Sequence, residues 1–187
     1  MCVCEFREKN TALAGKKVVL HKLLSHLKTN NLCSPFQSAY RAGHNTETVL
    51  LRVANDNVSA LDNCSISVLL LLRLSAAFSP THHQILLSRL YSLFGIQSAA
   101  IKWFGSYLSD KCRFNSVNNT SSRLSQLTYG VPQGSVLGPI LFVLYTTSLS
   151  DIIAGHSVNY QLLADDMQLQ KTSPLREINN LTKELCA

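Results

Sequence analysis

Apolar residues recur along this chain with two periods, and the alternation between them lays out its elements. Between Ala14 and Lys28, Val18, Val19, Leu23, Leu24 and Leu27 fall at helical spacing with lysines on the opposite face. Asn30 and Asn31 form a stop signal. The stretch SPFQSAYRAGHNTETVLL opens as a loop of turn formers. Thr46 is placed to cap a helix from Glu47 to about Leu61, with Val49, Leu50, Val53, Val58 and Leu61 as its apolar stripe. Residues 65–73, SISVLLLLR, form a continuous apolar run of strand length, which predicts a buried central strand.

Past Pro80, HHQILLSRLYSLFG predicts a helix ending at Gly95. QSAAIKWFGSYLSD predicts a second, with Ile101, Phe104, Tyr107 and Leu108 on one face. CRFNSVNNTSSRLSQLTYG predicts a β-hairpin turning at Asn118–Asn119. A loop from Gly130 to Gly138 leads into an apolar helix from Pro139 to about Ser150. A last hairpin pairs VNYQLLA with MQLQK and carries Asp165 and Asp166 at its tip. LREINNLTKELC begins another helix, and residues 1–12 read as an irregular lead-in. The order is that of an α+β fold, a small antiparallel sheet flanked by helices.

Composition narrows the class. The 187 residues are 46% hydrophobic and 15% charged, which favours one domain with a sizeable core over long disordered tails. The net charge of +6 leans toward a polyanionic partner, but the cations are scattered and no run of five like charges occurs. Six cysteines at irregular spacing, with no secretory leader, predict free thiols in a reduced, intracellular setting. The apolar run at Val68–Leu72 is too short to span a bilayer, so no membrane segment is expected.

Adjacent carboxylates between apolar flanks (Leu162, Leu163, Ala164) are the candidate chemistry. A hairpin tip of this kind can present a metal ligand. Nucleotidyl transfer with two divalent metals needs oxygen ligands from at least two segments. The partner carboxylate has to come from a neighbouring strand, and the strand ending at Arg73 is placed to supply that position.

These strings carry a resemblance. FQSAYRAGHNTETVLLRV, SVLLLLRLSAAF, HHQILLSRL, GIQSAAIKWFGSYLSD, LTYGVPQGSVLGPILFVLY and LLADDMQLQ resemble, in order and spacing, the fingers–palm region of reverse transcriptases of non-LTR (LINE-type) retrotransposons. The resemblance runs from about Ala14 to Leu185. It implies a fingers-like part at 14–64 and a palm-like part at 65–187, after a lead-in at 1–13. It implies Asp165 and Asp166 as the paired catalytic aspartates, with Asp165 the metal ligand, and Mg²⁺ or Mn²⁺ as the cofactor. Gln133 and Gly134 match the loop that supports the templating base and incoming nucleotide. Phe78 matches the bulky residue beneath the nucleotide sugar. Arg41 lies in the fingers segment as a candidate contact for template or triphosphate. The implied partners are RNA and DNA as primer–template, and a nucleoside triphosphate.

The departures matter as much as the matches. The family has Asp where this chain has Arg73, and acids where Ser79 and His82 stand. An arginine there changes local charge by two units and would pair with Asp165 in the metal's place. The expectation is therefore a fingers–palm fragment without thumb or endonuclease regions, catalytically dead and with no tightly held metal. Two further readings stay open at this point. One is an active polymerase with a substitute ligand, such as Asp62 or a backbone carbonyl. The other is a non-catalytic module that binds nucleic acid or protein.

Overall fold

The computed structural model describes residues 3–7, 13–41, 43–74, 81–109, 112–117, 120–121, 123, 125–126, 129–131, 135–156 and 158–177. In chain order the elements are β1 (Val3–Arg7), α1 (Leu13–Thr29), α2 (Thr46–Asp62), β2 (Ser65–Arg73), α3 (His83–Ser92), α4 (Ser98–Leu108), β3 (Cys112–Val117), β4 (Thr120–Ser121), β5 (Ser125–Gln126), α5 (Gly138–Ala154), β6 (Asn159–Leu163) and β7 (Asp166–Pro174). A short 3₁₀ turn, Leu175–Glu177, follows. The architecture is α+β with antiparallel sheets, as the element order predicts. No helix among the described residues is long and apolar enough to cross a membrane.

The chain divides into two compact units, Met1–Cys33 with Ala76–Thr146, and Ser34–Ser75 with Thr147–Ala187. The core of the first unit is built on helices. Leu23 and Leu27 of α1, four residues apart, meet Leu86 and Leu90 of α3, Phe104 and Leu108 of α4, and Leu137, Leu141 and Leu144 around α5. Asn31 takes a left-handed conformation (φ 52°) just past α1. His26 O accepts from both the backbone N–H of Asn30 at 3.1 Å and its side chain at 2.8 Å, which closes the last turn of the helix. His26 Nε2 donates to Phe94 O at 2.7 Å and ties α1 to the turn after α3. Tyr107 lies in this core, and burial pushes its phenol up, against the opposing hydrogen bond from Ser135.

The second unit holds a three-stranded sheet in the order β2-β7-β6. Its core is small: Ile153 of α5, Tyr160, Leu162 and Met167 of the hairpin, with Phe36, Leu149 and Leu169 around them. The α2 helix starts with a capping box in which the Asn45 side chain accepts from Thr48 N–H at 2.8 Å, and Asn45 N–H donates to Thr48 Oγ1 at 3.1 Å.

Several expectations are corrected. The cap of α2 is Asn45, one residue before Thr46. The buried stripe of α2 is Val49, Val53 and Ala60, whereas Leu50, Val58 and Leu61 are exposed, because one narrow face meets the rest of the unit. Among the described residues β2 is an edge strand, with β7 as its one partner in the sheet, and Leu71 is 66% exposed. An apolar run signals burial only where neighbours exist on both sides, and run length does not report that. Residues 3–7 are a strand paired with β3, a contact between segments over a hundred residues apart. The expected 112–130 hairpin therefore belongs to a second, four-stranded sheet, with β3 paired to β1, β4 and β5. α3 ends at Ser92, and Gly95 (φ 64°) lies in the turn beyond it. The helix expected at the C-terminus begins as the 3₁₀ turn, and the remainder lies outside the described residues.

Burial sets the energetic contrast within this fold. Leu141 is 0% exposed, so Leu141→Ala should destabilise by about 2–5 kcal/mol. Leu71→Ala, on the exposed edge, should cost less than about 0.5 kcal/mol. Urea melts of the two variants against the parent measure the difference.

Candidate active site

The β6–β7 hairpin pairs Asn159↔Gln170 through Leu163↔Asp166, which leaves Ala164 and Asp165 as a two-residue turn. Ala164 sits at φ 56°, a left-handed conformation that tight hairpins demand and that disfavours side chains. β2 lies along the other side of β7 in an unbroken register from Ser65↔Pro174 to Arg73↔Asp166. Leu74 N–H then donates to Asp165 O at 2.9 Å, so the strand end is bonded to the turn itself.

This register brings Arg73 to the two aspartates. Arg73 Nε is 3.2 Å from Asp165 Oδ2 and 3.5 Å from Asp166 Oδ1. The Asp165 contact is also a charge-assisted hydrogen bond. The side chains of Arg73, Asp165 and Asp166 are 74%, 28% and 51% exposed. Ion pairs this open contribute at most about 1 kcal/mol. The consequence of the contact is therefore electrostatic occupation of the turn.

Gln37 supports the turn from beneath, a role that the sequence did not signal. It is buried, and its Oε1 accepts from Ala39 N–H at 3.0 Å and from Ala164 N–H at 3.3 Å. Its segment bridges β6, with Leu162 N–H donating to Phe36 O and Ser38 N–H to Leu162 O, both at 2.9 Å. Arg41 spends its guanidinium on the same loop, donating from Nη1 to Ser34 O at 2.8 Å and Gln37 O at 3.3 Å.

The other unit holds the base of the Gly130–Gly138 loop. Gly130 N–H donates to Thr81 O at 2.8 Å, and His83 Nε2 donates to Gly130 O at 2.7 Å. Gly130 takes φ 91°, where glycine is favoured. The His82 ring meets Tyr129 edge-on at 5.0 Å. Ser135 Oγ accepts from the N–H of Gly138, the first residue of α5, at 3.0 Å. Phe78, Gln133 and Gly134 lie outside the described residues.

The chain matches the family described as reverse transcriptase (RNA-dependent DNA polymerase) over residues 12–185. This chain belongs to the reverse transcriptase family. It is 30% identical over 134 residues to the RNA-directed DNA polymerase from mobile element jockey of Drosophila melanogaster, covering 72% of this chain and 14% of that protein. It is 27% identical over 163 residues to the probable RNA-directed DNA polymerase from transposon BS of the same species, covering 84% and 18%. The chain thus spans less than a fifth of the length of these relatives. Among solved structures, apo telomerase from Candida tropicalis, truncated from its C-terminal domain, matches with a TM-score of 0.63 at 14% identity. That match covers 94% of this chain and 37% of the telomerase chain, and it establishes the shared fold.

Reverse transcriptases use divalent metal in general, and the donor set at the turn does not fit one. Asp165 and Asp166 come from a single hairpin, and the side chain that reaches them from the neighbouring strand is the Arg73 cation. Among the described residues no three His, Cys, Asp or Glu side chains gather as a metal site. Asp62 does not serve as a substitute. It ends α2 next to Ser65, at the far end of β2 from Arg73. The strand between places it on the order of 26 Å away, at about 3.3 Å per residue.

Two substitutions separate support from charge. Gln37→Leu leaves the N–H groups of Ala39 and Ala164 without their acceptor and should cost about 1–3 kcal/mol. Arg73→Gln should cost less than about 1 kcal/mol, since its pair is exposed. Chemical denaturation of both variants checks the order.

Proposed function

We propose that this chain is the fingers–palm portion of a retrotransposon reverse transcriptase whose nucleotidyl-transfer centre is inactive. In this reading residues 14–64 are fingers-like and residues 65–187 palm-like. The longer protein would take RNA template, DNA primer and nucleoside triphosphate as its substrates, with Mg²⁺ or Mn²⁺ as its metal. The single observation that carries the reading is the Arg73 guanidinium, 3.2 Å from Asp165, at the position where the family resemblance implies a carboxylate. A cation there repels a divalent metal and satisfies the aspartate meant to hold it. Metal-ion stabilisation supplies several kcal/mol to such a transition state, and each 1.4 kcal/mol or so is tenfold in rate. Orders of magnitude in rate are lost with it.

Primer extension on an RNA template, with Mg²⁺ or Mn²⁺, should give no product. Product that vanishes in Asp165→Ala would demonstrate a working metal site and overturn the reading. A thermal-shift measurement isolates the charge effect. Arg73→Asp lowers the formal charge from +6 to +4 and clusters three carboxylates, which repel one another. In chelator this variant should melt below the parent. Saturating Mn²⁺ should then stabilise it by about 2.7 kcal/mol at a hundredfold excess over Kd, while the parent barely responds. Equal metal shifts in parent and variant would place Arg73 away from the metal position.

A further inference from the structure

The cations of this chain are divided unequally between its two units. Residues 1–33 and 76–146 carry eleven Lys and Arg against three Asp and Glu, whereas residues 34–75 and 147–187 carry six against eight. The basic excess lies wholly in the unit without the aspartate hairpin. Within that unit α1, α3 and α4 contain Lys16, Lys17, Lys22, Lys28, Arg89 and Lys102 and no acidic residue. Arg89 lies over the Tyr145 ring at 4.9 Å, and Lys16 is buried. Lys17, Lys22 and Lys28 of α1 are exposed.

Helix electrostatics accounts for one of these three. Lys28 stands in the last turn, where the carbonyl end of the helix dipole favours a cation. Lys17 stands near the opposite, positive end, and the first turn has no acid. α1 holds no Asp or Glu, so neither Lys17 nor Lys22 has a counter-charge three or four residues away. The helix therefore carries positive charge that lowers its own stability and that an external polyanion would offset. Lys17, His21, Leu24 and Lys28 are all exposed and follow at intervals of four, three and four residues, which aligns them on one face. The stripe spans about 16 Å at 1.5 Å per residue. That length faces about five phosphates of one stacked strand at 3.4 Å each.

We propose that the exposed lysine face of α1 is a contact surface for the sugar–phosphate backbone of a nucleic-acid strand. The identity of the polyanion rests on the reverse-transcriptase reading. The contact itself does not need a working metal site, so it operates whether or not Arg73 blocks catalysis.

The test is the salt dependence of binding to a single-stranded RNA of about 20 nucleotides, between about 50 and 200 mM KCl. Lys17→Gln with Lys28→Gln removes two backbone contacts. The slope of log K against log salt should shrink by about 1.4, and affinity near 0.1 M salt should fall roughly 25-fold. Lys17→Arg with Lys28→Arg should bind like the parent, which excludes a folding defect at these positions. Lys171→Gln with Arg176→Gln removes the same charge from the other unit and should change affinity less than about twofold. Equal weakening by the two Gln pairs would assign the effect to net charge and overturn the proposal. A parent that binds RNA with a slope unaltered by the α1 changes would also overturn it, leaving the reverse-transcriptase reading intact. A parent that binds neither RNA nor single-stranded DNA at low salt would remove both. Tighter binding of the parent to phosphatidylserine vesicles than to RNA, through these same lysines, would transfer the surface to membranes and refute it.

Discussion

The candidate centre hangs from the register of one ladder. β2 and β7 pair from Ser65↔Pro174 to Arg73↔Asp166 without a bulge, and Leu74 N–H carries the bonding on to Asp165 O. Side chains alternate across a sheet with period two, so a one-residue slip would turn Arg73 to the other face. With the register held, whatever side chain occupies position 73 must lie against the aspartates. The chemistry of the turn is decided by that one identity.

The support of this geometry and its charge are separate matters. Gln37, buried and bonded to Ala164 N–H, secures the backbone of the turn, whereas the Arg73 pair is largely open to solvent. An exposed ion pair adds little to stability, because water already solvates both partners well. The same pair still governs which ions approach, since a fixed cation a few ångströms from a carboxylate satisfies the charge that a metal would otherwise meet. A fold can therefore persist while the electrostatics of its centre are inverted.

The two units also differ in how they are held. The first unit closes around buried side chains such as Phe94, Leu141 and Leu144, and carries the basic excess. The second unit has a small core and an edge strand with four partly exposed leucines, Leu69 to Leu72. Exposed apolar edges favour association with other strands, so this unit is the part whose behaviour depends most on what surrounds it.

Local chemistry made much of this legible in advance. The helical stripe of α1, the Asn30–Asn31 stop, the apolar α5 and the Ala-Asp-Asp tip each depend on residues close in sequence, and periodicity and turn propensity report those directly. The juxtaposition of Arg73 with Asp165 was also within reach, because family order and strand alternation together point to one register. Other features were decided only in three dimensions. β1 exists as a strand because β3 lies beside it, and no local signal encodes a partner over a hundred residues away. The apolar run of β2 looks like a core strand, yet it lies at a sheet edge, since exposure depends on which neighbours arrive. Asn45 took the cap from Thr46 through a reciprocal bond to Thr48, a choice of one residue that propensity alone cannot make. Gln37 reads as an ordinary loop polar residue, and only the folded chain brings its amide oxygen beneath Ala164.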